Sequence, residues 1–308
     1  MTNPNPVIPP AEHQTSVAAQ DLLNSATSGV IVERTAQLKN GFHSEGRKFA
    51  RMMAEFVNVK QVGVASVFVY EETFGIKDKL HWLIHLNSLD AYETMVQMGT
   101  ADQEYRGTVS QEQVSEDRGG GAWDKIFVDG SMRETVLLPQ FWGMYGTQVD
   151  GDLEKRSAAY RQEGPLTGVP GAREQVALPG DQILHSGNAG IMLHRTAQIE
   201  YDFRSEGRKF AREVAESINE NLPGETTVFV YEEAFGSADR IHWLIHMKSL
   251  TTYYRLLELH VRNEKVRDLY FQERIPAEKG GGTWARMFVP GSMVDVALTP
   301  QHWGMYAT

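Results

Sequence analysis

His81-Trp82-Leu83-Ile84-His85 returns letter for letter as His242-Trp243-Leu244-Ile245-His246, 161 residues further along the chain. Outward from that word the match continues without a gap. Residues 30–147 align with 191–308, and 54 of the 118 pairs are identical. Self-similarity at one fixed offset marks duplicated structural units, and two copies of this length are domains and not turns of a solenoid. Because no insertion interrupts the alignment, every loop keeps its length, which implies one backbone used twice.

The word itself reads as a strand. Alternate residues of a strand share a face, so His81, Leu83 and His85 point one way and Trp82 and Ile84 the other. At roughly 3.3 Å per residue the two histidines stand about 13 Å apart. They cannot ligate one metal as an i, i+4 pair on a helix could, and no metal site is expected. Two orientations stay open. Either the histidines face a cavity, or they lie under helices and the site is elsewhere.

Around the word the elements fall in a legible order. Val30 to Gln37 alternates as a strand. Ser44 suits an N-cap for a helix to about Asn58 that buries Phe49, Met52, Met53 and Phe56. Val67–Glu72 and Lys79–Leu86 form a hairpin whose turn carries Phe74-Gly75 and Asp78. Ser88 opens a second helix with Leu89, Tyr92, Met95 and Val96 on one stripe. The triplet Gly119–Gly121 follows, then Trp123–Val128 and a last strand around Glu134–Tyr145. This is the β-α-β-β-α-β unit. One such sheet carries helices on one face only, so its other face needs cover. The second copy supplies it, with two sheets expected to meet face to face around an interior cavity. The expected division is a disordered tail over 1–27, where Pro4, Pro6, Pro9 and Pro10 break regular structure, a first repeat over 28–147, a linker over 148–188 and a second repeat over 189–308.

Composition narrows the function classes. The chain has 308 residues, 41% hydrophobic and 23% charged, with net charge −10 and no cysteine. An acidic balance argues against nucleic acid or an anionic membrane as partner. No apolar run reaches the length of a membrane span, and no secretory signal pattern is seen near Met1. The missing cysteines exclude disulfides and thiolate chemistry, and a cytoplasmic location is the expectation. No dinucleotide-binding glycine pattern is present.

Two units of this order, with polar residues on their strands, resemble the dimeric α+β-barrel (ferredoxin-like) superfamily, here fused within one chain. The fold class expected is α+β, with two ferredoxin-like β-α-β-β-α-β repeats forming an intramolecular dimeric α+β barrel. At fold level the chain is similar to antibiotic-biosynthesis monooxygenases and polyketide cyclases, and the superfamily also includes haem enzymes. The resemblance implies a small, often aromatic ligand in the barrel.

The candidate site residues follow. His81, His85, His242, His246 and His194 are the acid–base candidates, because imidazole titrates near neutrality. Arg34 and Arg195 are candidates for holding an enolate or phenolate, with Glu71, Glu72, Glu232 and Glu233 as alternative ion-pair partners. Trp142, Tyr145, Trp303 and Tyr306 are candidates for stacking on a flat ligand. The block from Ser44 to Arg51, repeated as Ser205 to Arg212, reads as a capped helix start with basic residues on a solvated face. The copies differ at Glu33/His194, His43/Arg204, Gly99/His260 and Phe141/His302. Glu33 therefore joins the substrate-binding candidates, and the two half-sites are expected to differ.

The expected function is a small-molecule enzyme that oxygenates or cyclises an aromatic or polyketide-like substrate without flavin or nicotinamide. No cofactor is predicted. The alternatives are a haem enzyme in the same barrel and a non-catalytic small-molecule binder. Two fused chains pairing as a homodimer would fit the same scheme.

Overall fold

The computed structural model describes residues 8–147, 166 and 168–302. The first half contains β1 (Val30–Gln37), α1 (His43–Lys60), β2 (Ala65–Phe74), β3 (Lys79–Leu86), α2 (Asp90–Ala101), α3 (Gln103–Ser110) and β4 (Arg133–Pro139). The second half contains β5 (Ile191–Gln198), α4 (Arg204–Asn221), β6 (Thr226–Phe235), β7 (Arg240–Met247), α5 (Thr252–Arg262), α6 (Glu264–Phe271) and β8 (Val294–Pro300). The eight strands close into one barrel in the order β1-β3-β2-β8-β5-β7-β6-β4.

Each half supplies an antiparallel sheet of order β4-β1-β3-β2 or its equivalent. The halves join by their edges and not by their faces. Tyr70 pairs with Pro300 and Glu72 with Leu298 on one seam. Leu138 pairs with Glu232 and Pro139 with Tyr231 on the other. Edge pairing satisfies the backbone groups that an open sheet leaves exposed. An eight-stranded barrel is wide enough for its own side chains or for one small ligand, and side chains pack the interior of this one. Ile31, Phe68, Tyr70, Leu83 and Leu137 meet Met192, Phe229, Tyr231, Leu244 and Leu298 inside it. The expected open interior cavity is thus replaced by a third core. The other two cores lie between the outer face of each sheet and its helices. Val32, Trp82 and Ile84 pack there against Phe49, Ala50 and Val57 in the first half.

Alternation along β3 decides the orientation that the sequence leaves open. His81, Leu83 and His85 face the barrel interior, and Trp82 and Ile84 face the helices. The helices also differ from expectation in detail. Helix α1 starts at His43, with Phe42 in the cap position. The second helix is two helices, broken at Asp102, whose carboxylate accepts from the N–H groups of Glu104 and Tyr105 and starts α3.

Residues 11–27 are packed against the barrel, contrary to the expected tail. Gln14 works as one extra rung beside β2: its Nε2 donates to the Val69 carbonyl (2.7 Å), and the Val69 N–H donates to its Oε1 (2.8 Å). Gln175, within the expected linker, does the same to Val230 at 2.8 Å in both directions. The 161-residue offset thus extends upstream of Val30 in function as well as spacing.

In the repeated block at the start of α1, Ser44 and Lys48 are exposed, but Arg47 and Arg51 are buried and not solvated. Arg47 donates to Glu71 through Nε (2.9 Å) and Nη2 (2.5 Å), and Nη2 also reaches Asp78 at 2.9 Å. Arg51 donates to the Gln301 carbonyl (2.9 Å) and to the Gln14 carbonyl (3.0 Å), tying α1 to the opposite half. Arg208 pairs with Glu232 and Asp239, and Arg212 donates to the Gln140 carbonyl at 2.7 Å. Removing one member of a buried ion pair strands the other's charge. Arg47→Ala is therefore expected to destabilise the fold by about 3–5 kcal/mol in urea unfolding, and a loss below about 1 kcal/mol would contradict the pairing.

Candidate functional site

Two cavities lie outside the barrel, one per half, each between the outward sheet face and its helices. The first is about 230 Å³ and the second about 310 Å³. In the first, β2 and β3 give Val67, Trp82 and Ile84, α1 gives Phe49, Met53 and Val57, and α2 gives Tyr92, Met95 and Val96. Trp123 and Met132 close one side, with Phe49 and Trp123 stacked at 6.1 Å and 5° between planes. The second cavity is built from the positions 161 residues on, including Val228, Trp243, Ile245, Phe210 and Trp284. Phe210 and Trp284 stack there at 5.6 Å and 9°.

The permanent charge on each wall is an arginine. Arg34 lines the first cavity and donates through Nε to Glu134 at 2.7 Å. Arg195 lines the second and grips Asp295 through Nε (2.7 Å) and Nη2 (2.8 Å). Its hydrogen bond to Asp295 raises its pKa. The ion-pair partners thus come from the neighbouring strands β4 and β8, and not from Glu71, Glu72, Glu232 or Glu233. An apolar, aromatic concavity with few polar groups is the usual form of a small-molecule site.

His81, His194 and His242 line neither cavity. They form a buried chain across one end of the barrel interior. Glu72 Oε1 accepts from His81 Nε2 (2.8 Å), and Glu33 Oε1 accepts from His81 Nδ1 (2.7 Å). The same Glu33 oxygen accepts from His194 Nδ1 at 3.1 Å. His194 Nε2 lies 2.8 Å from His242 Nδ1, and His242 Nε2 reaches Glu233 at 3.3 Å. The outer nitrogens of the His194–His242 pair face carboxylates, and the inner two share one hydrogen bond.

Burial opposes ionisation of Glu33, yet its two histidine partners hold its pKa well below the usual range. Burial likewise raises Glu72, but His81, Lys79 and the Ile76 N–H bring it down to about 2. Burial lowers His81, and Glu33 and Glu72 outweigh it, so its pKa is raised. Burial lowers His242, with the His194 charge adding to the effect. Positions 33 and 194 are equivalent, and closure of the barrel brings them together at its axis. Two glutamates there would repel, whereas Glu33 and His194 pair. The difference between the copies joins the halves here instead of distinguishing two ligand sites.

His85 and His246 close the other end. His85 donates through Nδ1 to the Ser66 carbonyl (3.2 Å), and its Nε2 accepts from Ser186 Oγ at 2.8 Å. His246 does the same with the Thr227 carbonyl (3.3 Å) and Ser25 Oγ (2.9 Å). Burial brings both imidazoles down to about 3, so they stay neutral. Ser25 and Ser186 exchange N–H···Oγ bonds at 2.9 Å. Tyr70 and Tyr231 donate to the Ser186 and Ser25 carbonyls. These histidines hold a plug in place.

The expected aromatic wall is also elsewhere. The Arg212 guanidinium lies 5.0 Å from the Trp142 ring and that of Arg208 5.3 Å from Tyr145, against α4. Trp303 and Tyr306 lie outside the described residues. Sequence reasoning read Phe49 as part of the buried stripe of α1, left the facing of Trp82 open and gave Trp123 no role. It noted the Gly99/His260 difference without placing His260 in a site, yet His260 lines the second cavity.

Residues 1–306 match a family of unknown function, DUF6039. The chain belongs to that family. A search of curated proteins finds no match for this DUF6039 member. Among solved structures it is similar to a candidate monooxygenase from Fusobacterium nucleatum, at 8% identity and a TM-score of 0.52, over 90% of this chain and 94% of that one. It is also similar to an anthrone oxidase-like protein (9% identity, TM-score 0.49, 91% and 94% covered). A variant of chlorite dismutase from Candidatus Nitrospira defluvii matches at 9% identity and a TM-score of 0.41, with 89% and 92% covered. The likeness shows the fold, an α+β barrel of the dimeric type within one chain. No helix among the described residues is long and apolar enough to cross a membrane.

The buried chain makes stability depend on pH. The Glu72 pKa is depressed from 4.5 to about 2, so its contribution is full above pH 4.5 and lost as pH falls toward 2. His81 is raised above 6.5, so its contribution is full below pH 6.5 and lost as pH rises through the folded value. The urea midpoint of the wild type should fall between pH 5 and 2 more steeply than that of Glu72→Gln. Parallel curves would contradict the chain.

Proposed function

We propose that the chain is a small-molecule enzyme whose ligand sits between sheet and helices, and that it oxygenates or cyclises an aromatic or polyketide-like substrate without flavin or nicotinamide. The observation that carries this reading is the pair of ring-lined cavities, each with an arginine on its wall. Stacked Phe49–Trp123 and Phe210–Trp284 favour a flat, apolar body. Arg34 or Arg195, each partly exposed on the cavity wall, suits a developing phenolate or enolate, because a fixed cation stabilises charge that develops beside it. The monooxygenase name of the Fusobacterium nucleatum fold neighbour agrees with this class of chemistry. The histidines of the repeated word serve as scaffold in this reading.

Haem in the same place is a weaker reading. His260 donates Nδ1–H to the Leu256 carbonyl at 2.6 Å, as an iron-ligating imidazole does. Its Nε2, however, already meets the Tyr270 hydroxyl at 2.8 Å. Among the described lining residues Arg195 is the only permanent cation, one positive charge against the two propionates of a haem. As arranged, these residues do not fit a haem.

Titration with 2-naphthol, followed by tryptophan fluorescence, tests the proposal. Saturable binding should occur at two sites per chain. Met53→Trp should remove one and Val214→Trp the other, each variant keeping its thermal stability. Absence of binding, or binding that survives both substitutions together, would contradict the reading.

A further inference from the structure

The two cavities are matched position by position, and their polar content differs at few places. Where the first has Gly99 and Val109, the second has His260 and Tyr270. The tautomer of His260 is set by its own helix. The Leu256 carbonyl can only accept, so Nδ1 carries the proton and donates to it at 2.6 Å. In the neutral ring Nε2 is then a bare acceptor, and it takes the Tyr270 O–H at 2.8 Å. Tyr270 is held in place edge-on against Phe210 (5.5 Å) and Trp284 (5.8 Å), the stacked pair of the same cavity. Arg195 lines this cavity too. A fixed base, a hydroxyl bridging to it and a permanent cation therefore converge on one apolar space. The first cavity has the cation alone: its Tyr105 sits on α3 where the second has Val266, edge-on to Phe56 at 5.6 Å.

Building on the ligand site proposed above, we infer that the second cavity is a proton-transfer site for phenols and aromatic ketones with an acidic C–H, and that the first binds such rings without reacting them. A substrate hydroxyl gives its proton to the Tyr270 oxygen as Tyr270 passes its own to His260 Nε2. An acidic C–H gives its proton to Nε2 directly once the substrate displaces the Tyr270 hydroxyl. Either way the products are a substrate anion, paired with Arg195, and an imidazolium at His260. Reversal returns the proton to carbon or oxygen, so no oxidant or reductant is consumed. His260 is the base, Tyr270 the bridge and Arg195 the anion partner. Burial pushes the Tyr270 hydroxyl up to about 12 although Arg195 draws it down, which keeps the bridge protonated at rest.

The test is deuterium uptake into 2-tetralone in D2O, followed by NMR on the intact protein, with 2-naphthol binding measured beside it. The wild type should exchange the benzylic α-protons faster than buffer. His260→Gln should lose roughly 10²–10⁴-fold in rate. Gly99→His combined with Val109→Tyr should add exchange to the first cavity. Exchange that survives His260→Gln, no exchange above buffer despite 2-naphthol binding, or a Soret band on haem addition that His260→Gln abolishes would each overturn the inference. If 2-naphthol fails to bind at all, the ligand-site reading itself fails.

Discussion

A strand inside a barrel has one face for the interior and one for whatever lies outside. In β3 and β7 that division sends His81, Leu83 and His85, and their counterparts, inward and Trp82 and Ile84, and theirs, toward the helices. Everything else follows from it. The inward set must satisfy its polar atoms within the packed barrel interior. The outward set is free to line cavities with rings. The packed barrel interior and the lining of the two cavities thereby lie on opposite sides of one sheet.

Closure by the β2–β8 and β4–β6 seams brings residues far apart in sequence into contact at the axis. The chain from Glu72 through His81, Glu33, His194 and His242 to Glu233 spans both halves. The Ser25–Ser186 exchange joins the halves again at the opposite end. Buried polar groups are costly unless every member is satisfied, and satisfying these requires the two halves to differ at positions 33 and 194. On the helix-facing side of β6, burial pushes Glu232 up to about 7 even with Arg208 beside it.

Much of the fold was legible in the sequence. The repeated word, the period-2 alternation around it and the gapless offset imply two copies of one β-α-β-β-α-β unit, because hydrophobic spacing is imposed locally. Three things were not legible. Which strand face looks outward depends on closure, a long-range event. Arg47 and Arg51 look like a solvated stripe beside Glu45 and Lys48, because their partners Glu71, Asp78 and Gln301 arrive from distant elements. The packing of Gln14 and Ser25 could not be read from a proline-rich start. For the candidate site, Arg34 and Arg195 were recognisable as strand arginines with a choice of partners. The cavity rings were hidden because a core phenylalanine and a ligand-facing one have the same spacing.

In the proposed reading, ligand binds between sheet and helices and not in the barrel interior. A crystal structure of the protein with 6-bromo-2-naphthol distinguishes the two places through the anomalous signal of bromine. Bromine peaks are expected on the outward face, beside Trp82 and Trp243. A peak inside the barrel, among Leu83, Leu244 and the buried histidines, would contradict it.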